Sequence, residues 1–286
     1  MTQPQSKFCA FLLVAEAQAE YIIMNECSFI FSKPMNETSE SEPENIKMNW
    51  ISSRRAWVGL ALAAVLVVVS VTWTWQRHAL ADALVRAEPA SLQQDGALVR
   101  YALDRAPGVY AANCASCHGA ERHGDLRTGA ADLADAHWVH GKGDVAAIET
   151  TILYGIRSGH PKAHGLKDMP AMGRTQQLTR GEISDLVDYM LALSKQPHAA
   201  AAAERGRALY AGKGRCADCH GADAGGSSEF GAPRLTGPTW LYGGQRAALQ
   251  ASLEDGRHGL CPAWIHQLDY ADIRALAVWL AASQPD

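Results

Sequence analysis

The chain has 286 residues, 48% of them hydrophobic and 20% charged, with a formal net charge of −4. That composition suits globular protein and leaves room for two small domains plus further segments. A mild negative charge without a basic run excludes a nucleic-acid partner, and the seven cysteines form no obvious disulfide framework.

Residues 1–47 are mildly apolar at Phe8–Val14 and rich in Glu and Ser over 35–46. They read as a disordered tail, or as a stretch preceding a true start at Met48. Cys9 and Cys27 fall in this stretch and suggest no role. Residues 48–77 read as a transmembrane anchor. Arg54 and Arg55 precede an uncharged run from Ala56 to Trp75, which at about 1.5 Å per residue spans the roughly 30 Å hydrocarbon core. Trp57, Trp73 and Trp75 fit interfacial positions, and the paired arginines favour an inside N-terminus, although Arg77 follows. Ala79-Leu80-Ala81 resembles a cleavage site, but the apolar run is long for a signal peptide, so an uncleaved anchor is expected. Residues 78–95 read as a linker.

Cys114-Ala115-Ser116-Cys117-His118 follows, and its pattern recurs as Cys216-Ala217-Asp218-Cys219-His220. C-x-x-C-H is the attachment signal for c-type haem. The two thiols add across the haem vinyl groups, and the adjoining His118 or His220 is placed as the proximal iron ligand. Two cysteine pairs and two histidines could instead close a zinc site, but zinc requires no histidine directly after each pair. Two covalently bound haem c groups are therefore expected, and their attachment implies an exported location.

The two motifs belong to a longer repeat. Tyr110 and Tyr210 precede them, Gly129 matches Gly231, Leu133 matches Leu235, Trp138 matches Trp240, and Pro170 matches Pro262. Repetition at this length means two folded domains of one kind, over 96–198 and 199–286. Helices are expected across Ala97–Tyr110 and Ala201–Tyr210. A further helix carries Leu178, Ile183, Leu186, Tyr189, Met190 and Leu193, started by a Thr179/Glu182 capping box. Its counterpart carries Leu268, Ile273, Leu276 and Trp279, started by Asp269. Gly- and Pro-rich connections fill the rest.

Electron-transfer haems often take a methionine as sixth ligand. In the first domain Met169, just before Pro170, is the candidate, with Met172 and His160 as rivals and a plain core methionine as the alternative. The second domain has no methionine. Cys261 stands at the matching position and could bind as thiolate, lowering the potential. His258 or His266 could bind instead, or the position could stay open. The first two outcomes place the second haem lower in potential.

The run of haem motif, "GAPRLTGPTWLYGG", "DGRHGLCPAW" and closing amphipathic helix resembles the dihaem subunit III of cbb3-type cytochrome c oxidases, over residues 97–284. The resemblance implies a mainly α fold, with one N-terminal transmembrane helix followed by two tandem class I-like cytochrome c domains. It implies haem attachment at Cys114, Cys117, Cys216 and Cys219, proximal ligation by His118 and His220, and distal ligation by Met169. The implied partners are a small soluble cytochrome c and the catalytic subunit of a terminal oxidase. The implied place is a bacterial inner membrane, crossed once, with the haem domains in the periplasm. Three features depart from the family: Cys261 replaces its second distal methionine, residues 158–168 lengthen the first distal loop, and the N-terminal third shows none of the segment expected beside an oxidase core.

The leading expectation is a membrane-anchored dihaem electron carrier of a respiratory chain. Its chemistry needs no catalytic acid, base or substrate pocket. The alternative is a dihaem redox enzyme with a Cys/His-ligated haem, thiosulfate-dehydrogenase-like or peroxidase-like. A haem-based sensor is the third class, disfavoured because no output domain follows. His123, His137, His140 and His164 read as surface or pocket-lining residues.

Overall fold

The computed structural model describes residues 50–165 and 167–284; the expectations for residues 1–47 lie outside them. The described chain forms helices and isolated β-bridges. Leu62–Asp286 makes one compact unit.

The first helix, α1, covers Trp50–Arg86. Within it Ala56–Arg86 is long and apolar enough to cross a membrane, and its apolar side chains from Trp57 to Trp75 are exposed. The hydroxyls of Ser70, Thr72 and Thr74 donate to carbonyls of the preceding turn, so the run presents no unsatisfied polar group to hydrocarbon. The segment 78–95 takes up regular structure. The helix continues through it to Arg86, a 3-10 turn follows over Pro89–Gln94, and Leu84 and Leu92 are fully buried. Leu80 and Ala81, part of the cleavage-like tripeptide, pack against the same core.

Eight helices follow. They are α2 (Gly96–Asn113), α3 (Ala115–His118), α4 (Val145–Tyr154), α5 (Arg180–Leu193), α6 (Ala200–Ala211), α7 (Ala217–His220), α8 (Arg246–Asp255) and α9 (Tyr270–Ala282). Asp95 caps α2 by accepting from the amides of Ala97 and Leu98, and the Thr179/Glu182 capping box starts α5. Asp269 stands at the start of α9, but its side chain makes no capping bond. Sequence periodicity missed α4 and α8. Both are short, and α4 holds β-branched Ile148, Thr150, Thr151 and Ile152, poor helix formers. Its Asp144 cap and its packing on α9 hold it in place.

The C-terminal helix of each copy does not pack on the N-terminal helix of its own copy. α2 packs on α9, with Tyr110 edge-on to Trp279 at 5.2 Å between ring centroids. α5 packs on α6, with Tyr189 edge-on to Tyr210 at 5.4 Å. α4 packs on α9 and α5 on α8. Each packed unit therefore takes its N-terminal helix and haem-attachment turn from one copy and its C-terminal helix from the other. The expected division into 96–198 and 199–286 follows the sequence repeat, and the helix packing crosses it.

A buried ion pair ties the base of the anchor into the first unit. Arg274 Nε lies 2.6 Å from Glu149 Oε2. Arg274 also donates to Ala87 O at 2.6 Å and Leu84 O at 3.2 Å. Removing one partner leaves the other as an uncompensated buried charge. Arg274→Met should lower unfolding free energy by about 3–5 kcal/mol, read from denaturant melts of the detergent-solubilised protein. The α5–α6 crossing gives a second expectation: a Cβ on Gly206 would come 2.1 Å from Asp185 O, whereas one on Gly108 in α2 meets nothing within 4 Å. Gly206→Ala should cost roughly 1–3 kcal/mol by overpacking. Gly108→Ala should gain up to about 1 kcal/mol from helix propensity, both read as shifts in thermal midpoint.

Candidate haem-binding site

Each attachment motif occupies one helical turn, α3 or α7, which places both cysteines beside the following histidine. Gly119 and Gly221 then turn the chain away at φ +76 and +80, a left-handed conformation that favours glycine. Tyr110 Oη donates to Gly119 O, and Tyr210 Oη donates to Gly221 O, each at 2.7 Å. These bonds hold the turns against α2 and α6.

His118 Nδ1 lies 2.9 Å from Ala131 O, and His220 Nδ1 lies 2.8 Å from Pro233 O. A carbonyl only accepts, so Nδ1 carries the hydrogen and Nε2 is left with a bare lone pair. Burial lowers the pKa of both imidazoles, against the smaller opposing effect of the carbonyl bonds. Both rings are thus neutral, with the tautomer an iron ligand needs. Burial also pushes the Cys114 and Cys216 thiols up to about 11. Thioether bonds to a vinyl carbon would remove those titrating groups.

Both turns open into a single cavity of about 1200 Å³. That exceeds the roughly 300–1,000 Å³ of an ordinary small-molecule site. Trp138 and Trp240 line it at equivalent places. A Cβ on Gly143 would strike the Trp138 ring, and one on Gly244 the Trp240 ring. Trp240 Nε1 is buried without a partner. A haem propionate would supply the missing acceptor, so the residues present fit the group. Among the described residues no three His, Cys, Asp or Glu side chains converge as a metal site, which leaves the zinc reading without a ligand set.

The other expected ligands are distributed unevenly. Met169 lines the cavity and packs against the cluster that contains Cys216, Leu249 and Leu253. Cys261 also lines the cavity, on the opposite unit. Burial, with smaller contributions from the Cys114 and Cys117 thiols, pushes its thiol up to about 11. His258 is largely exposed, with Nδ1 2.8 Å from Asp168 Oδ1. His258 and His266 do not line the cavity, and His160 instead stacks on Tyr154. Met172 is buried in the core beside Met169.

Sequence reasoning missed a reciprocal contact between the units. His140 and Tyr242 occupy matching positions in the repeat. A Cβ on Gly231 would lie 2.2 Å from the His140 ring, and one on Gly129 would lie 2.1 Å from the Tyr242 ring. The matched glycines were legible, but not that each receives the ring of the other copy.

A neutral histidine beside two thiols on one helical turn suits the proximal half of a c-type haem site, and the chain builds that arrangement twice in one cavity. With its apolar anchor helix, this defines a membrane-anchored dihaem c-type cytochrome, an electron-transfer protein carrying two covalently bound haem c groups. Comparison with known sequences agrees. Residues 103–194 match the cytochrome c family, and residues 201–280 match the family described as cytochrome c oxidase, cbb3-type, subunit III. The cbb3-type oxidase subunit CcoP of Cereibacter sphaeroides is 37% identical over 197 residues, covering 69% of this chain and 66% of the relative. CcoP of Azospirillum brasilense is 38% identical over 204 residues, covering 69% and 68%. FixP of a Bradyrhizobium species is 38% identical over 202 residues, covering 69% and 67%. The chain thus spans about two thirds of the length of these relatives, and it belongs to the CcoP/FixP family of cbb3-type cytochrome c oxidase subunits.

His140 gives the site a pH dependence. Burial lowers its pKa to about 4, with His164 and Arg157 adding to the effect. An unfolded histidine titrates near 6.5. Between pH 6.5 and 4 the unfolded chain binds a proton that the folded chain does not, so stability falls as pH falls through this window. The slope approaches roughly 1.4 kcal/mol per pH unit for this one group. Denaturant melts at pH 7 and 4.5 should show that loss, and His140→Phe should reduce it.

Proposed function

We propose that this chain relays electrons from a small soluble cytochrome c to the catalytic subunit of a cbb3-type oxidase in the same bacterial inner membrane. Its haem domains face the periplasm. The observation that carries the reading is the shared cavity, which brings both attachment turns together within one compact unit. Bound haem iron supplies reversible one-electron chemistry. The protein's part is to hold His118 and His220 neutral, to fix both rings by their Nδ1 bonds, and to surround the site with apolar side chains. A rigid apolar surrounding limits the reorganisation that a change of charge at each site would cause. Family membership supports the partner, and Arg54 and Arg55, ahead of the apolar run of α1, support the orientation.

The dihaem enzyme reading receives no comparable support, since the relatives reported above are oxidase subunits. The two readings separate by purification through a tag on this chain. The carrier reading expects a co-purifying oxidase that consumes oxygen with reduced soluble cytochrome c, with uptake falling to background in His118→Ala or His220→Ala. It also expects no turnover of thiosulfate or peroxide by this chain alone. A chain that purifies without oxidase subunits and turns over either substrate would establish the enzyme instead.

A further inference from the structure

A buried polar atom left without a partner costs roughly 1–3 kcal/mol, so orphaned atoms around the cavity mark where a bound group completes the fold. Among the described residues that line it, three buried nitrogens make no hydrogen bond: His140 Nδ1, Arg157 Nε and Trp240 Nε1. Arg157 is committed nonetheless. Its Nε lies 2.6 Å from Asp168 Oδ1, and its two terminal nitrogens donate to Gly259 O at 2.8 Å and Lys167 O at 3.0 Å. Trp240 Nε1 has a haem propionate as its acceptor. His140 Nδ1 is left.

The His140 ring is only 9% exposed, and it is fixed from two sides. One edge lies against Gly231, where a Cβ would come 2.2 Å from Cε1 and 2.7 Å from Nε2. Its face stacks on the His164 ring, with 4.9 Å between centroids and 24° between planes. His164 belongs to the lengthened loop over residues 158–168. His164 N–H donates to Gly155 O at 3.0 Å, and Arg157 N–H donates to His164 O at 2.8 Å. The insertion thus supplies the packing that orients His140. Burial, with smaller contributions from His164 and Arg157, holds the ring neutral. A neutral imidazole still carries one N–H to donate.

The surroundings identify the acceptor. Gly231 stands two residues before Pro233, whose carbonyl holds His220 Nδ1 at 2.8 Å. Trp240 packs against the cluster that contains Cys216. Both orphaned nitrogens therefore flank the same attachment turn. On the other side of the repeat Tyr242 takes the place of His140, and the Arg257 guanidinium lies over its ring at 4.1 Å. The two attachment turns thus have unlike neighbours, an imidazole beside one and a phenol beside the other.

We propose that His140 Nδ1 donates a hydrogen bond to a propionate of the haem held by Cys216, Cys219 and His220. A residue of the first copy then sets the potential of the second copy's haem. The carboxylate charge favours ferric iron, and a donor that shares this charge favours ferrous iron. The assignment deepens the relay reading and rests on its two haems, but on no partner protein.

The test is a redox titration of the full-length protein in detergent, with resonance Raman spectra of its reduced state. His140→Phe keeps an aromatic ring between Gly231 and His164 but removes the donor. One midpoint should fall, so that the ferric-to-ferrous ratio of that haem at a fixed potential rises severalfold, while the other midpoint stays. The propionate bending band should move to lower frequency. His140→Gln, which keeps a donor, should recover most of both changes. Unchanged midpoints in His140→Phe overturn the proposal. Equal falls at both haems, or equal falls in the Phe and Gln variants, trace the effect to loosened packing and overturn it as well. NMR of the wild-type protein, reduced under carbon monoxide to keep both irons diamagnetic, identifies the haem. His140 ring protons should show cross-peaks to propionate methylene protons of the haem whose thioether protons adjoin Cys216 and Cys219. Cross-peaks to the other haem, or to neither, overturn the proposal. None of these readings requires electron donor, oxidase or oxygen, so failure of this contact is distinguishable from failure of the relay.

Discussion

Only residues 194–199 separate α5 from α6, and a connection that short favours a helical hairpin over two helices belonging to separate domains. Gly206 lets the backbones approach, with Asp185 O at the crossing, and the Tyr189–Tyr210 edge contact completes the interface. Once α5 is committed to α6, α2 has no C-terminal helix of its own copy to bury its apolar stripe against. It takes α9, and Tyr110 meets Trp279 as Tyr210 meets Tyr189. The equivalence of the two copies permits this exchange, because each interface sets a tyrosine of the N-terminal helix edge-on to an aromatic ring of the C-terminal helix. The distal loops then follow their helices into the opposite units.

The haem groups are as much core as cofactor in such a fold. Each unit is well under a hundred residues and has a limited core of its own, and the attachment turns, both tryptophans and both distal loops surround one large cavity. Haem held there would fill that cavity and add to the core. The Arg274–Glu149 pair extends this unit to the base of α1 through Leu84 and Ala87. The membrane helix consequently does not end in a loose tether. The carbonyls at its C-terminal end accept directly from an arginine on the last helix of the chain.

Much of this was legible in the residues. C-x-x-C-H twice, the apolar run from Ala56 to Trp75, the Thr179 capping box and the 3.6-residue spacing from Leu178 to Leu193 each carry a local physical signal. The exchange carries none. A repeat tells which helix surfaces are complementary but not which copy supplies the partner, since Tyr110 would suit either Tyr189 or Trp279. The continuation of α1 through residues 78–86 was hidden because its buried face is narrow, with Leu84 fully buried while several neighbouring side chains remain open. His140 and Tyr242 were hidden for the same reason as the exchange: their glycine partners lie about ninety to a hundred and ten residues away in sequence, as read from positions 231 and 129.

The exchange is tested most directly by zero-length crosslinking. Arg105 of α2 pairs with Asp272 of α9, and Arg205 of α6 lies 2.6 Å from Asp185 of α5. Introducing Arg105→Lys or Arg205→Lys places an amine beside each carboxylate, and carbodiimide activation followed by peptide mapping records which pairs join. The exchanged fold predicts links between positions 105 and 272 and between 205 and 185. Links from 105 to α5 and from 205 to α9 would show two self-contained tandem domains and contradict the account.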